Sequence, residues 1–402
     1  MKNVFDALII GGGPSGATAA IMLATAGWSV ALLERSEFPR RKVCGEFVSS
    51  AIGPLFHELG IADIFGALAG PDVRRIGLFA GDESICTARK TTGAWGRALG
   101  REHLDTLLVE RAAAAGARVW QPCAAVEIRK IDSGFRCEAI ATGLREHVEL
   151  SARTVIAAHG SWEPGRLPTQ PARREFRASD LFGFKGHLVD CRLPGDLMPL
   201  VAFPDGYGGL VHSDNGRVSL SCCIRRDRLE QVRRQTGIAN AGDAVIEYIK
   251  RTCPAAGEAL SSARVENSWM SAGPIRPGLR SPVIDGIFRV GNAAGEAHPV
   301  IAEGITMAIQ SAEILSRCLM RELQGAWSEH SLEAAARAYS SAWRRKFAVR
   351  VRASALIARW AMTPWLTACS APVLTVFPRV LTIGARCSGK SYCTGVTTTA
   401  VP

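Results

Sequence analysis

Hydrophobic residues near the start of the chain form two short runs with a helical pattern between them. The first run, Phe-Asp-Ala-Leu-Ile-Ile over residues 5–10, is typical of a strand buried on both faces. An alanine-rich stretch over 17–26 has the composition of a packed helix and stops at Gly27. A second apolar run covers 28–33. The order strand, helix, strand predicts a parallel βαβ unit.

The later pattern predicts more of this layer and a second unit of different character. A helix over 101–115, a buried strand over 154–158 and an apolar helix over 305–319 are typical of an α/β domain. From about residue 165 to 275 the chain instead has short apolar runs at regular spacing, which predict an antiparallel sheet. Those runs cover residues 181–185, 198–203, 207–211 and 218–222.

Glycines follow the first predicted strand at the spacing G-x-G-x-x-G. Gly11, Gly13 and Gly16 lie between that strand and the helix, where a tight turn and close backbone approaches require residues without side chains. Glu34 ends the second predicted strand, 18 residues after Gly16, where an acid can bond the ribose of a dinucleotide. The motif therefore predicts a dinucleotide whose pyrophosphate meets a helix N-terminus.

We predict an α/β fold with an α+β insert: a Rossmann-type dinucleotide-binding domain, an antiparallel-sheet substrate domain and a helical C-terminal region. The sheet domain would interrupt the first domain, since the strand and helix near residues 288–319 return to it. The predicted segments are 1–164 and 276–325 for the dinucleotide-binding domain, 165–275 for the sheet domain and 326–402 for the C-terminal region.

The net charge of +11 lies almost wholly at the C-terminal end, where residues 334–402 contain ten Lys and Arg and no Asp or Glu. Apolar residues recur there every four positions, as in an amphipathic helix: Tyr339, Trp343, Phe347 and Val351. The basic residues of the opposite face include Arg337, Arg344, Arg345, Arg352 and Arg359. This face predicts a solvated helix packed on the body, or contact with an anionic membrane or an acidic acyl-carrier protein.

The cysteines and the N-terminus bear on the cellular compartment. Twelve cysteines are scattered from Cys44 to Cys393 without a C-x-x-C pair, which favours reduced thiols over a disulfide scaffold. The first residues contain an acid and no small-residue cleavage site, so no export signal is predicted. The sequence also predicts no membrane-spanning helix. We expect a cytoplasmic protein, with peripheral membrane contact as the alternative.

Taken together, the motifs resemble the flavin monooxygenase and reductase superfamily of the para-hydroxybenzoate hydroxylase fold, and within it the geranylgeranyl reductase-like branch. The resemblance covers roughly residues 4–320 and implies FAD as the cofactor. It implies pyrophosphate contacts from Gly11, Gly13, Ser15 and Gly16, and adenosine contacts from Glu34, Arg35 and Val126. It also implies flavin contacts from Arg101, Gly291, Asn292, Gly304 and Ile305. Because the sequence has only one glycine motif of this kind, the resemblance implies that NADH or NADPH binds transiently as the reductant.

Two positions depart from the pattern of this superfamily. His159 precedes Gly160 where the superfamily usually has Asp before Gly, and Asn292 follows Gly291 where it usually has Asp. An asparagine can still accept a hydroxyl hydrogen bond, but it adds an amide donor and loses the charge. These departures imply weaker flavin binding, and they keep a non-catalytic flavin-binding regulatory protein as an alternative.

The predicted substrate side combines one polar segment with several aromatic residues. The segment Arg40–Phe47 resembles the cysteine-glycine segment that reductases of this branch place near the flavin, which predicts catalytic roles for Cys44 and for Glu46 as a proton donor. The alternative is that Cys44 is a packed apolar residue and 40–42 a solvated turn. Phe184, Phe203, Tyr207 and Trp269 are the predicted substrate contacts, with core packing as the alternative.

The leading functional prediction is NAD(P)H-dependent hydroxylation of a hydrophobic aromatic or polyketide-like metabolite. The close alternative is reduction of a double bond in a prenyl lipid. Flavin-dependent halogenation has little support, because no W-x-W-x-I-P motif is present. No metal ion and no nucleic-acid partner are expected.

Overall fold

The computed structural model describes residues 4–88, 95–141, 146–160, 165–172, 174–324, 327–377 and 381. Its helices, in chain order, are α1 Pro14–Thr25, α2 Gly53–Glu58, α3 Ala62–Leu68, α4 Arg101–Ala114, α5 Arg226–Thr236, α6 Ala241–Thr252, α7 Pro254–Ala259, α8 Gly304–Glu322, α9 Glu329–Ala361 and α10 Pro364–Val376.

The strands fall into two large sheets and two short ladders. In chain order they are β1 Val4–Ile10, β2 Val30–Leu33, β3 Phe47–Val48, β4 Arg75–Ala80, β5 Glu83–Ala88, β6 Arg97–Ala98, β7 Arg118–Trp120, β8 Cys123–Ile131, β9 Gly134–Ala141, β10 Glu146–Ala157, β11 Leu181–Val189, β12 Leu197–Phe203, β13 Gly206–His212, β14 Val218–Arg225, β15 Arg264–Val265, β16 Met270–Ile275, β17 Gly278–Leu279, β18 Val283–Ile284, β19 Ile287–Arg289 and β20 Gly295–Glu296.

The first sheet contains the predicted βαβ unit. Its order is β18-β19-β10-β1-β2-β7, and the β8-β9 hairpin joins β10. β1 runs parallel to both β2 and β10, so that Ile10 lies between Leu33 and Ala157. Helices α1, α4 and α8 pack together on this sheet around a core that includes Leu23, Leu108 and Leu315. The predicted α/β fold is confirmed.

The second sheet has the order β15-β11-β14-β13-β12-β4-β5, with β16 also paired to β11. Its central pairs are antiparallel, as predicted, but β4 runs parallel to β12. β4 and β5 come from residues 75–88, inside the segment 1–164 that the sequence analysis gave wholly to the dinucleotide-binding domain. They belong to this sheet because β4 presents Leu78 and Phe79 to the apolar residues of β12.

Side chains of the second sheet alternate between two environments. Phe184, Phe203 and Leu220 point toward helices α5–α7 and form one core with Val232 and Ile249. The opposite face looks toward the first sheet and toward the C-terminal helices, where a second core includes Tyr207, Cys223, Ala358 and Leu374. The candidate site lies on this second face.

The C-terminal region is helical, as predicted, and its apolar face packs on the body. Tyr339, Trp343, Phe347 and Val351 are buried against α8 and the first sheet. The Tyr339 hydroxyl donates to the carbonyl of Arg289 at 2.6 Å, which ties α9 to β19. None of the helices in the described ranges is long and apolar enough to cross a membrane. The basic residues Arg379, Arg386 and Lys390 lie outside the described residues.

Candidate flavin and substrate site

The glycine loop after β1 is shaped by backbone approaches that exclude side chains. Gly11 has φ +109°, and a Cβ at this residue would lie 2.6 Å from the carbonyl oxygen of Ala158. A Cβ on Gly16 would lie 1.8 Å from the Gly11 oxygen. Gly13 caps α1, whose first turn therefore offers free backbone N–H groups. The loop has the geometry of an anion site at a helix N-terminus.

Glu34 lies where the sequence predicted, at the end of β2 and next to this loop. The side chain is buried, and Oε2 accepts a hydrogen bond from the Gly12 N–H at 2.8 Å. Oε1 accepts from the Ser36 N–H at 2.8 Å. Both contacts hold the carboxylate at the edge of the dinucleotide site. Its neighbour Arg35 is exposed.

Two arginines flank the glycine loop. Arg101 binds Asp105 through two hydrogen bonds of 2.7 Å, and Arg40 Nη2 lies 3.5 Å from the same carboxyl group. A Cβ on Gly13 would be 3.7 Å from Arg101 Nη2 and 3.9 Å from Arg40 Nη2. Burial opposes the charge of Arg101, yet the Asp105 carboxylate raises its pKa above the ordinary value.

Arg40 is the side chain that best tests whether a dinucleotide fits here. Its Nε and Nη1 atoms are buried and have no hydrogen-bond partner among the described residues. Buried N–H groups of a charged side chain normally have acceptors. Arg40 Nη2, the atom near Gly13, already donates to Glu34 Oε2 at 3.3 Å. A diphosphate beside Gly13 would offer further acceptors to the same guanidinium group, and with Arg101 it would meet two cations and a helix N-terminus. The residues present therefore fit FAD, the cofactor predicted from the sequence.

A second loop, 291–305, lies against the glycine loop. Gly291 has φ +59°, and a Cβ there would meet the hydroxyl of Ser15 at 2.7 Å. Gly304 is the first residue of α8. The structure thus brings the predicted flavin residues of both loops together. The side chain of Asn292 is engaged, because its amide donates to Glu296 Oε1 at 3.1 Å.

A cavity of about 530 Å³ lies between these loops, the second sheet and the C-terminal helices. Its wall is mainly apolar, with an aliphatic rather than an aromatic character. Residues that contribute to it include Leu78, Leu200, Leu210, Ile301, Ile357, Trp360 and Leu374. The predicted residues Cys44, Glu46, Tyr207, Asn292, Gly304 and Ile305 also line it. The volume and lining are those of a small-molecule site.

Glu46 joins the cavity to a buried cluster of charged residues. It has φ +62°, and its side chain is fully buried. Oε1 forms an ion pair with Lys185 and accepts the Arg101 N–H at 3.3 Å, while His187 Nε2 lies 2.9 Å from Oε2. Ser213 donates to Oε2 at 3.3 Å. Both carboxylate oxygens of Glu46 therefore already have donor partners. This favours a positioning role for Glu46 over the predicted role of proton donor.

The cluster continues from His187 toward solvent. Arg217 pairs with Asp214 and, at 3.1 Å, with Glu102, and Arg41 lies 3.6 Å from Glu102. Asp214 also lies 3.3 Å from the partly exposed His103. Burial lowers the pKa of Lys185 and of His187. Burial would raise the pKa of Asp214, but the Gly100 N–H and Arg217 outweigh it and lower the pKa.

The oxygens of Glu46 and Glu102 and a nitrogen of His187 lie within 4.8 Å of one another, close enough for one metal ion. The surrounding charges are unfavourable for a metal ion. Glu46, Glu102 and Asp214 face three cations, namely Lys185, Arg217 and Arg41. A divalent cation would be repelled by the cations that already balance the carboxylates. We interpret this set as an ion-pair cluster.

Cys44 and the pair Tyr207–His298 are the other polar groups of the cavity. Cys44 Sγ accepts the Glu46 N–H at 3.4 Å and is close to the charges of Arg101 and Lys185. Tyr207 Oη lies 3.3 Å from His298 Nδ1. Burial lowers the pKa of His298 to about 4 and raises that of Tyr207 well above its ordinary value. At neutral pH the phenol and the imidazole are therefore both uncharged.

Comparison with known proteins identifies the family. The profile described as FAD binding domain matches residues 4–349, which is most of the chain. The chain belongs to this FAD-binding family. The predicted recognition, fold class and FAD cofactor are thereby confirmed, and the coarse activity is that of an FAD-dependent oxidoreductase.

Curated relatives and solved structures agree with this assignment. A menaquinone reductase of Mycobacterium tuberculosis is 24% identical over 360 residues, covering 84% of this chain and 82% of the relative. A digeranylgeranylglycerophospholipid reductase of Methanothermobacter thermautotrophicus is 28% identical over 317 residues, covering 76% and 74%.

Two solved structures show how widely the fold is shared. A myxobacterial chondrochloren halogenase has a TM-score of 0.77 at 20% identity, covering 98% of this chain and 94% of its own. A geranylgeranyl bacteriochlorophyll reductase-like protein of Thermoplasma acidophilum has a TM-score of 0.67 at 18% identity, covering 96% and 100%. At these identities the structures establish the fold alone.

Three of the four predicted substrate aromatics lie away from the cavity of this FAD-binding protein. Phe184 and Phe203 point to the helical side of the second sheet. Trp269 packs over Gly242 of α6 and donates through Nε1 to Asp243 at 2.7 Å. The reason is strand alternation, which places Tyr207 on the cavity face and the two phenylalanines on the other. Of the four predicted substrate contacts, the structure places only Tyr207 in the wall of the cavity.

Other predicted positions have structural surroundings that the sequence did not show. Val126 lies at the register irregularity of β8, between Ala125 and Glu127. His159 Nε2 lies 2.9 Å from the Thr169 hydroxyl. Sequence reasoning missed Lys185, His187 and His298 altogether. A signal existed for the first two, because a lysine and a histidine two residues apart in an apolar strand must share one face.

Proposed function

We propose that this FAD-dependent oxidoreductase reduces a carbon–carbon double bond of an apolar, isoprenoid-type substrate, with NADH or NADPH as the reductant. The observation that carries the proposal is the aliphatic cavity, which reaches from the flavin loops to the C-terminal helices. The relatives that align over most of this chain carry the names of a menaquinone reductase and a digeranylgeranylglycerophospholipid reductase, which supports the proposal.

The chain's own residues have separable roles in this proposal. Arg40 and Arg101 would hold the diphosphate of FAD, and the N-terminus of α8 would meet the flavin ring system. Bound FAD supplies hydride chemistry, with both electrons coming from NAD(P)H, which leaves as NAD(P)⁺. The aliphatic walls would orient the chain of the substrate and exclude water.

A reduced double bond needs a proton as well as a hydride, and Tyr207 is the proposed donor. Tyr207 lines the cavity, and burial raises its pKa well above the ordinary value, so that the phenol is protonated at neutral pH. One alkene carbon would gain the hydride and the other the phenolic proton. The phenolate would regain a proton from water after the product leaves. Neutral His298 would orient the hydroxyl throughout.

The test follows NAD(P)H oxidation with a panel of prenylated quinones and geranylgeranyl lipids, without oxygen. We expect turnover under anaerobic conditions and a product that has gained two hydrogen atoms by mass spectrometry. Tyr207→Phe should lower turnover far more than it changes substrate affinity, since the proton rather than the pocket is lost. Absence of anaerobic turnover with every lipid would refute the proposal.

Hydroxylation of a hydrophobic aromatic or polyketide-like metabolite is the second candidate. The observation in its favour is the Tyr207–His298 pair, a neutral hydrogen-bonding group on an apolar wall that would orient a phenol or carbonyl oxygen. This reaction would consume oxygen in step with NAD(P)H and add one oxygen atom to the product. Oxygen uptake therefore separates the two candidates. A non-catalytic flavin-binding protein would show neither form of turnover.

A further inference from the structure

Helix α10 is apolar on both of its faces. Its residues carry no charged side chain. Thr367, Ala371 and Leu374 face the body, while Trp365, Val373 and Val376 are 66%, 56% and 69% exposed. Phe377, directly after the helix, is 62% exposed. A surface helix normally has one polar face, so the outer face of α10 requires a partner.

The neighbouring helix α9 continues this exposed surface with a different composition. Its outward stripe alternates basic and apolar residues at helical spacing: Arg345, Val349, Arg352, Leu356 and Arg359. Val349 and Leu356 are 70% and 72% exposed. The two helices contact each other, and Trp360 Nε1 donates to the Ser370 hydroxyl at 3.0 Å.

The concentration of exposed apolar residues is unusual for this protein. Six of the eleven large hydrophobic side chains that are exposed in the described ranges lie between Val349 and Phe377. The other five are spread over residues 4–279. We call the outward residues of α9 and α10 the tail surface. Scattered exposed hydrophobics need no explanation, but a concentration of this kind marks an interaction site.

We propose that the tail surface docks on an anionic lipid bilayer, with α10 lying in the plane of the interface. Residues 334–402 contain ten basic and no acidic residues, a charge complementary to anionic headgroups. A helix of 13 residues is about 20 Å long, shorter than the hydrocarbon core of about 30 Å, so it cannot span it. Trp365 at the start of α10 suits the headgroup level.

A second copy of this chain is a poorer occupant of the tail surface. Two such surfaces facing each other would bring together the basic residues of the segment 334–377, which contains no acid to balance them. An anionic bilayer instead lets the arginines keep their charges among phosphates while the apolar residues enter the acyl region. The bilayer therefore satisfies both the charge and the apolar character of the surface.

The docking proposal rests on the proposed function, because an isoprenoid substrate would reach the cavity from the bilayer. The inner face of α10, with Ser370 and Leu374, lines the cavity, as do Ile357 and Trp360 of α9. One short helix therefore separates the proposed bilayer from the apolar cavity. A lipid chain would pass from the membrane under α10 to the flavin loops without crossing water, which suits an isoprenoid substrate.

Sedimentation with vesicles tests the docking with the FAD-loaded chain of 402 residues. We expect it to pellet with phosphatidylglycerol–phosphatidylcholine vesicles at low salt, to pellet much less at high salt, and to stay in solution with phosphatidylcholine alone. Arg352→Glu should lower the partition coefficient at least about fivefold. Trp365→Glu combined with Val376→Glu should abolish binding. Each variant should keep its flavin absorbance and its thermal midpoint.

Matched control variants place the same charge changes elsewhere. Ile64→Glu alters an apolar residue on α3 that is 50% exposed, and Arg234→Glu alters an arginine on α5 whose side chain is 80% exposed. Both should pellet like the wild type. The docking proposal fails if wild type ignores anionic vesicles, or if the controls lose binding as much as the tail variants. It also fails if light scattering shows a dimer that Trp365→Glu converts to monomer.

The vesicle assay separates this proposal from the proposed function, because it requires no turnover. Wild type that binds vesicles but reduces no lipid would support docking and refute the reductase. Wild type that reduces detergent-dispersed lipids but never binds vesicles would refute docking alone.

Discussion

Arg40 carries buried guanidinium N–H groups that no described residue accepts, and Gly13 lies beside it. We expect Arg40→Gln to weaken FAD binding about 10- to 100-fold, because a hydrogen bond to a charged group contributes about 1.5–3 kcal/mol. Fluorescence titration of the apoprotein with FAD would measure the change. Arg41→Gln is the control, since Arg41 instead faces Glu102. Equal losses in both variants would contradict a diphosphate contact specific to Arg40.

The hydrogen bond of the Asn292 side chain determines how replacing it by aspartate would affect FAD binding. If the Asn292 amide had no hydrogen-bond partner, restoring the aspartate usual in the superfamily would strengthen a ribityl contact. The amide instead donates to Glu296, so Asn292→Asp would place two carboxylates side by side. We expect weaker FAD binding by roughly 1 kcal/mol or more. The double variant with Glu296→Gln should recover the loss, and tighter binding in the single variant would refute this argument.

His298 predicts a pH dependence of folding. Burial lowers its pKa from 6.5 to about 4. Between these values the unfolded chain binds the proton and the folded chain does not, so His298 makes stability rise with pH over that range. The folding penalty is complete below pH 4 and absent above pH 6.5, and amounts to roughly 3 kcal/mol. In urea titrations from pH 4 to 7, His298→Gln should flatten the slope. Replacement of the exposed His57 by Gln should not.

At the scale of elements, helix α9 packs against the loop 291–305 of the flavin site. Trp343 is 1% exposed, and a Cβ on Gly295 would lie 2.5 Å from its Cη2 atom. Trp343→Ala should cost about 3–5 kcal/mol in unfolding free energy and weaken FAD binding, since the loop 291–305 loses its support. Denaturant unfolding and FAD titration would measure both. Arg344→Ala, its exposed neighbour, should change neither, and a tolerant Trp343→Ala would show that α9 is dispensable to the site.

The elements themselves were largely predictable from local pattern. The glycine loop, Glu34 and the apolar runs of β1, β2 and β11–β14 are each contained in a few consecutive residues, so their periodicity and turn residues identify them. The placement of β4 beside β12 was not predictable in this way. That pairing joins residues more than a hundred positions apart, and its apolar pattern would suit either sheet.

The part of the candidate site that could be predicted from the sequence is the part formed by the glycine loops. The face of the second sheet that lines the cavity depends on how this sheet packs on the flavin half. The alternation of side chains along a strand separates two faces but does not show which of them lines the cavity. Phe203 and Tyr207 therefore looked equivalent in sequence, although they face opposite sides. The side-chain partners of Glu46 come from β11 and from the β13–β14 connection, where Lys185 and Ser213 are 139 and 167 residues away. No local signal connects them.

At the scale of the whole molecule, the ion-pair cluster connects the two halves of the chain. Glu46 and Glu102 come from the flavin half, while Lys185 and His187 come from β11 and Arg217 from the β13–β14 connection. Taking such groups out of water is costly, and mutual pairing offsets the cost only when every charge has its partner. The cluster therefore favours one docking of the sheet on the flavin half and disfavours others.

Lys185 is the residue with which to test this coupling. Its side chain is fully buried against Glu46, so Lys185→Met should lower the unfolding free energy by about 3–5 kcal/mol by leaving a carboxylate without its cation. The double variant Lys185→Met, Glu46→Gln removes both charges and should recover most of the loss. Lys130→Met is the control, because that lysine is 68% exposed and lies 3.7 Å from Glu329. It should change stability by less than about 1 kcal/mol.

Urea unfolding of the four proteins, followed by circular dichroism and by flavin fluorescence, measures this coupling. If the cluster holds the halves together, Lys185→Met should release FAD at a lower urea concentration than wild type, because the segment that carries Cys44 and Glu46 is anchored to the sheet through Lys185. The double variant should move the flavin transition back toward wild type. A double variant less stable than Lys185→Met, or a single variant as stable as Lys130→Met, would show that the halves are held together by apolar packing instead.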